Sequence, residues 1–312
     1  MSYTDQREES LKDKILPQTK KADFEQFWAD ALVQLRAVPI EFTRTKIETA
    51  YDKTFTTYQV TFNTHDDTMV EAFFSVPIGA KGKLPCVAVY HGGSERKILY
   101  PSIVSTGVCC FAIDVRSQGG TTIDRGRYTS GDFNGGLMTR GILNKNEHYL
   151  RNIYLDAVRA MDVIAMMPEV DPERIVTFGG SQGGALSIAA SALSGRSKRC
   201  FSSITSYIAL HRRVELGSGI LRSVHEFVKT YPQHMDTALE TLTYFDILNM
   251  VSLLQVPTSV CLCLGDPICL PEFVYSAYAH MPCQKDIRIY PLLGHTQPEV
   301  WRYYAYTELS KL

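Results

Sequence analysis

The hydrophobic rhythm of the chain changes twice. Residues 1–20 are polar and predict an arm, after which residues 21–35, KADFEQFWADALVQL, set Phe24, Phe27, Trp28 and Leu32 on one face of an amphipathic helix. Between residues 45 and 77 the period falls to two, in KIETAY, TTYQVTF and MVEAFFSV, which predicts the strands of an antiparallel edge. Further on, short apolar runs at 85–90, 108–115, 174–178, 201–206, 258–264 and 287–292 read as strands separated by helices. Leu150, Ile153, Tyr154, Ala157, Met161 and Ile164 repeat at helical spacing within residues 148–167, and residues 271–280 predict another helix. Residues 207–255 break the alternation with a long, mostly helical segment. The predicted architecture is therefore α/β, with a mostly parallel sheet flanked by helices, an antiparallel N-terminal edge and a helical insertion. One domain spans 1–312, with residues 1–40 as arm and helix and 207–255 placed over the mouth of the sheet, where they would narrow a pocket or meet another subunit.

Composition narrows the function. The chain has 312 residues, and its 32 basic and 33 acidic side chains leave a net charge of -1, no footprint for nucleic acid or an anionic membrane surface. A small neutral substrate fits this balance. The eight cysteines lie mostly in apolar runs such as GVCCFAIDV and TSVCLCLGD, which points to reduced core thiols. Cys261 and Cys263 lack the second pair or nearby histidines of a zinc site. The N-terminus has no apolar signal core, and no run approaches a membrane span, so a cytoplasmic protein is expected. No phosphate-loop or dinucleotide glycine motif is present, and neither cofactor nor metal is predicted.

The chemistry centres on DPERIVTFGGSQGGALSIAASAL, a strand, a glycine-rich corner and a helix. Gly179-Gly180-Ser181-Gln182-Gly183 fits G-x-S-x-G, in which a serine sits on a strained strand-to-helix turn with its hydroxyl above the sheet. Side chains two residues either side would strike the facing backbone, hence the glycines. A plain tight turn is the competing reading; a phosphate cradle lacks its motif. In this arrangement an acid and then a histidine follow the serine. Of the histidines beyond residue 181 (His211, His225, His234, His280 and His295), only His295 directly follows a strand on its carboxyl side, where Gly294 lets the loop turn inward. Asp266 closes the preceding strand. Asp286 opens its strand at the opposite edge, and Asp246 lies in the helical insertion. His91, after the 85–90 strand, reads as structural, while its neighbours Gly92 and Gly93 allow a loop that lends a backbone N–H to an oxyanion. Arg116 and Gln118, in Arg116-Ser117-Gln118-Gly119-Gly120, either touch substrate or tie loops together.

DFEQFW (23–28), RSQGG (116–120), GLMTRGIL (136–143), DAVRAM (156–161), GGSQGG (179–184), TLTYFD (241–246) and GD-ICLP (265–271) together resemble the acetylxylan esterase and cephalosporin-C deacetylase family of α/β-hydrolases, along nearly the whole chain. The resemblance implies a Ser181, His295 and Asp266 triad, with the backbone N–H groups of Tyr90 and Gln182 as oxyanion hole. It further implies removal of acetyl groups from small sugars or related alcohols, and a ring-like hexamer. Three positions depart from the family pattern: Ser117 stands for a glycine, Leu270 for a proline and Thr296 for a glutamate. Alternatives are a broader serine esterase or peptidase on the same scaffold, and a binding protein that has lost activity.

Overall fold

The computed structural model describes residues 3–217 and 219–311, and nine strands in it form one sheet. They are β1 (Phe42–Ile47), β2 (Phe55–Asn63), β3 (Met69–Pro77), β4 (Leu84–Tyr90), β5 (Cys109–Ile113), β6 (Val170–Gly180), β7 (Ser197–Ser203), β8 (Thr258–Cys263) and β9 (Lys285–Tyr290), in the spatial order β1-β2-β3-β5-β4-β6-β7-β8-β9. The pairs β1–β2, β2–β3 and β3–β5 are antiparallel, and β5 to β9 run parallel. Sequence pattern follows burial. β2 alternates between buried and half-buried positions, whereas every residue of β5 and β8 is buried, as expected where helices cover both faces. The order reverses at β5-β4-β6, and ligands of such sheets gather at the carboxyl ends of the strands flanking the reversal.

One face packs on helices Phe24–Ala37, Tyr149–Ala165 and Gln182–Leu193, with Trp28 stacked on Tyr154 and edge-on to Phe245. The other face carries Phe178 and Phe201, on which the helix Glu299–Leu309 packs with Trp301 edge-on to Phe201. His148 starts the long helix: its Nδ1 accepts the N–H of Leu150 and its Nε2 donates to the carbonyl of Met138. Burial holds that imidazole neutral, pushing its pKa down to about 4.

The expected N-terminal arm is more ordered than its polarity predicts. Residues 1 and 2 lie outside the described ones, and Tyr3–Lys12 is a helix. The following segment is strapped to distant elements, with Leu16 N donating to Ser276 Oγ at 3.0 Å and Gln18 Nε2 to the Leu248 carbonyl at 2.6 Å. The first strand also lies earlier than KIETAY predicts, because Asp52 accepts from both the N–H and the hydroxyl of Thr49 and bends that stretch into a turn. Residues 207–255, of which 218 is outside the described residues, supply helices Leu210–Leu216, Arg222–Thr230, Met235–Thr243 and Ile247–Met250. Among the described residues, no helix is long and apolar enough to cross a membrane.

Candidate active site

Ser181 stands between β6 and the helix Gln182–Leu193, with φ 55° and ψ -119°. That is a sparsely populated conformation for a residue with a Cβ, of the kind held only when its surroundings over-determine it. The glycines around it show what those surroundings are. A Cβ on Gly183 would lie 1.9 Å from the Tyr90 carbonyl oxygen, and one on Gly179 would lie 2.3 Å from the Gly183 carbonyl oxygen. β4, the corner and the helix therefore touch backbone to backbone, and the serine hydroxyl is left on the outer side of the bend.

His295 and Asp266 meet it there. His295 Nε2 is 3.1 Å from Ser181 Oγ, and His295 Nδ1 donates to Asp266 Oδ2 at 2.8 Å. Asp266 is buried, and its other oxygen accepts the N–H groups of Ile268 and Cys269, each at 2.8 Å, which holds the carboxylate in place independently of the imidazole. The Asp266 hydrogen bond, followed by that of Cys269, raises the His295 pKa from 6.5 to about 10 against the opposing effect of burial. Asp266, Cys269 and His295 offer three ligand atoms within 4.8 Å of one another, so a soft cation could be held there. It would have to take Nδ1 from Asp266 and thereby break the serine–histidine–carboxylate chain.

Gln182 opens its helix, so its N–H is among the first-turn donors that no helical carbonyl reaches, and Tyr90 ends β4 beside Gly179 of β6. The side chain of Gln182 is buried and accepts from Tyr207 Oη at 2.6 Å and Gln118 Nε2 at 3.1 Å. Gln118 also accepts the Ser94 N–H at 2.5 Å and donates to Tyr149 Oη at 2.9 Å, so it ties the Ser94 loop to the first residues of the helices Tyr149–Ala165 and Gln182–Leu193. Tyr207 carried no recognisable signal in the sequence; nothing local marks a tyrosine that works through a residue 25 positions away.

Arg116 is enclosed by carboxylates. Its side chain is 0% exposed and its guanidinium bonds Asp156 (2.6 and 2.7 Å), Asp66 (2.7 and 3.2 Å) and Asp124 (3.1 Å). Of its two expected roles, contact with substrate has no open surface, and the loop-tying arrangement is the one present. His91 is likewise buried, accepting the Val115 N–H at Nε2 and bonded through Nδ1 to the Gly92 carbonyl. Burial lowers its pKa and keeps it neutral. Asp246 accepts the N–H groups of Ala209, Leu210 and Leu248, and burial raises its pKa to about 6. Asp286 takes the Ser259 hydroxyl at 2.6 Å near the start of β9, far from the serine rim.

Ser181 and His295 open into a cavity of about 350 Å³, with Val89, Phe178 and Ile204 as apolar wall and Glu95 and Arg302 at its polar side. Among the described residues lining it, none comes from 208–255; the insertion approaches the serine through Tyr207 and its bond to Gln182.

The profile of the acetyl xylan esterase (AXE1) family matches residues 1–310. The chain belongs to the acetyl xylan esterase family. Its backbone superposes on an acetyl xylan esterase from a Paenibacillus species with a TM-score of 0.92 at 31% identity, covering 100% of this chain and 99% of that one. For acetyl xylan esterase 1 from a Thermoanaerobacterium species the values are 0.88 and 26%, over 100% and 98% of the two chains. The acetyl esterase Axe7A of Xylanibacter ruminicola is 23% identical over 293 residues, 90% of this chain but only 65% of that protein's length. The three departures from the family pattern now have places. Ser117 has φ 56°, which accounts for the usual glycine, and its hydroxyl accepts from Arg140 Nη1 at 2.9 Å. Leu270 precedes the first turn of the helix Pro271–His280, and Thr296 lines the cavity beside His295.

Proposed function

We propose that the protein is a serine esterase that removes acetyl groups from acetylated xylan fragments or related small acetylated sugars, by way of an acetyl-enzyme on Ser181. The observation that carries this reading is the continuous chain Ser181 Oγ, His295 Nε2, His295 Nδ1, Asp266 Oδ2, opening into a small cavity. Membership of the acetyl xylan esterase family supports the choice of acyl group and alcohol.

In this mechanism Ser181 Oγ attacks the acetyl carbonyl carbon as His295 Nε2 takes its proton. Asp266 holds the ring in the tautomer that leaves Nε2 free to accept, and stabilises the imidazolium that forms. Negative charge gathers on the carbonyl oxygen, for which the N–H groups of Tyr90 and Gln182 are the donors at hand; losing one such donor costs about 10²- to 10³-fold in rate. The imidazolium then gives its proton to the departing sugar oxygen. Water, deprotonated by the same nitrogen, attacks the acetyl carbon, and collapse of that second intermediate releases acetate and restores Ser181.

The test is acetate release from acetylated xylose and xylobiose. Ser181→Ala, folded as judged by its circular dichroism, should lose about 10⁶-fold in kcat. Release at the parent rate would overturn the assignment. Chromogenic esters of increasing acyl length should be turned over progressively more slowly, and an octanoyl ester faster than the acetyl ester would displace the deacetylase reading. The ring-like hexamer belongs to the same proposal; a monomer in light scattering ends that part of it.

A further inference from the structure

A second cavity, of about 560 Å³, lies between the helix Glu299–Leu309 and the short helix Pro101–Val104. Two contacts join it to the serine cavity. Arg302 lines both, and Tyr306, from the second, sets its ring 6.3 Å from that of Phe178 in the first.

Its walls have a definite chemistry. Ser105 Oγ donates to the Ser102 carbonyl (2.9 Å), Thr106 Oγ1 to Ile103 (2.7 Å), Thr307 Oγ1 to Tyr303 (2.9 Å) and Ser310 Oγ to Thr307 (2.8 Å). A hydroxyl has one hydrogen to give, so each of these oxygens has only lone pairs left for a ligand. At these four positions the occupant must bring donors, while the Arg302 guanidinium and the hydroxyls of Ser102, Tyr303 and Tyr306 line the same groove and can donate to it. Glu299 and Arg302, 3.9 Å apart, bring one charge of each sign, so the groove carries no net charge. Tyr303, 71% exposed, and Tyr306 add flat ring surface. Hydroxyls that both donate and accept, no net charge and a flat C–H face together describe a neutral sugar, whose own hydroxyls can meet acceptors and donors alike.

We propose that this groove binds the sugar units neighbouring the acetylated one, so that an acetylated oligosaccharide lies across Arg302 with its acetyl group at Ser181. The proposal rests on the deacetylase reading and adds a binding site for the sugar chain to it.

Monoacetylated xylose, xylobiose and xylotetraose, with p-nitrophenyl acetate as reference, test it on the full-length protein. For the parent, kcat/KM should rise with chain length, chiefly through a falling KM. Tyr303→Ala should cut the ratio of kcat/KM on acetylated xylotetraose to that on p-nitrophenyl acetate by about fivefold, the worth of one aromatic contact. Tyr303→Phe, which keeps the ring, should restore that ratio. A parent that deacetylates all three sugars with one KM overturns the groove and leaves the deacetylase reading standing. An unchanged ratio in Tyr303→Ala overturns the groove in the same way. A parent active on p-nitrophenyl acetate and inert toward every acetylated sugar overturns both.

Discussion

Two polar residues stand near the carboxyl ends of strands in the middle of the sheet, and they are held by opposite means. Ser181, after β6, keeps its place by strain: φ is positive, the neighbouring glycines let backbones meet, and the hydroxyl has a single hydrogen-bond partner in His295 before it faces an open cavity. Arg116, after β5, keeps its place by satisfaction, with three carboxylates around a guanidinium that has no exposed surface. A polar group at the fertile end of a parallel sheet is thus not automatically part of the chemistry. What separates the two is spare bonding capacity facing solvent. Ser181 has it, and Arg116 has committed all of it to Asp66, Asp124 and Asp156.

After loss of the serine itself, the largest effect should come from breaking the chain behind it. Asp266→Asn keeps the shape of the side chain but removes its charge, and an amide hydrogen facing the imidazole turns the ring toward the wrong tautomer; a loss of about 10⁴-fold in kcat is expected. The pH profile carries a second sign. Asp266 raises the His295 pKa, and the base must be neutral to accept a proton, so parent activity should rise with pH through a pKa above 6.5. In Asp266→Asn that rise should move to lower pH. An acid limb at the same position in both proteins would detach Asp266 from His295.

The next effect belongs to the other region and reads as stability rather than rate. Arg116→Met removes the cation and leaves buried carboxylates unpaired, an expected loss of about 3–5 kcal/mol in urea denaturation. The acid side adds a check. Burial alone would raise the Asp66 pKa, yet the Arg116 hydrogen bonds and charge bring it from 3.8 down to about 2. A depressed carboxylate stabilises the fold above its unfolded pKa and loses that contribution as pH falls through the folded one. The parent should therefore weaken between pH 3.8 and about 2, and Arg116→Met should lack that part of the decline. A variant as stable as the parent would mean that the three aspartates do not depend on Arg116.

The same contrast explains what the chain reveals without its structure. The order of strands and helices is legible because burial on two faces leaves continuous apolar runs, and Ser181, His295 and Asp266 stand out because each closes or follows such a run. The Arg116 cluster is not legible beyond its arginine. Its partners lie 8, 40 and 50 residues away, and no periodicity links them. The order of the N-terminal segment is hidden for a related reason: it has little apolar surface of its own, and its anchors, Ser276 and Leu248, sit more than two hundred residues later. Placing residues 207–255 over the mouth is an inference from interrupted alternation, and alternation says where a segment leaves the sheet but not which way it folds back.

The smallest expected effect tests the strain itself. Ser181→Ala and Ser181→Gly both lose the hydroxyl and its contact with His295, so any difference between them reports on the backbone. At an ordinary position with negative φ, alanine is the more stable by about 0.5–1 kcal/mol, because glycine gives up more freedom on folding. At φ 55° and ψ -119° alanine keeps the clash that glycine does not have, a cost of about 1–3 kcal/mol. The order should therefore reverse, with Ser181→Gly the more stable by about 1 kcal/mol in equilibrium urea unfolding. If alanine proves equal or better, the corner is relaxed, and the hydroxyl is held by its neighbours' packing rather than by a backbone forced into place.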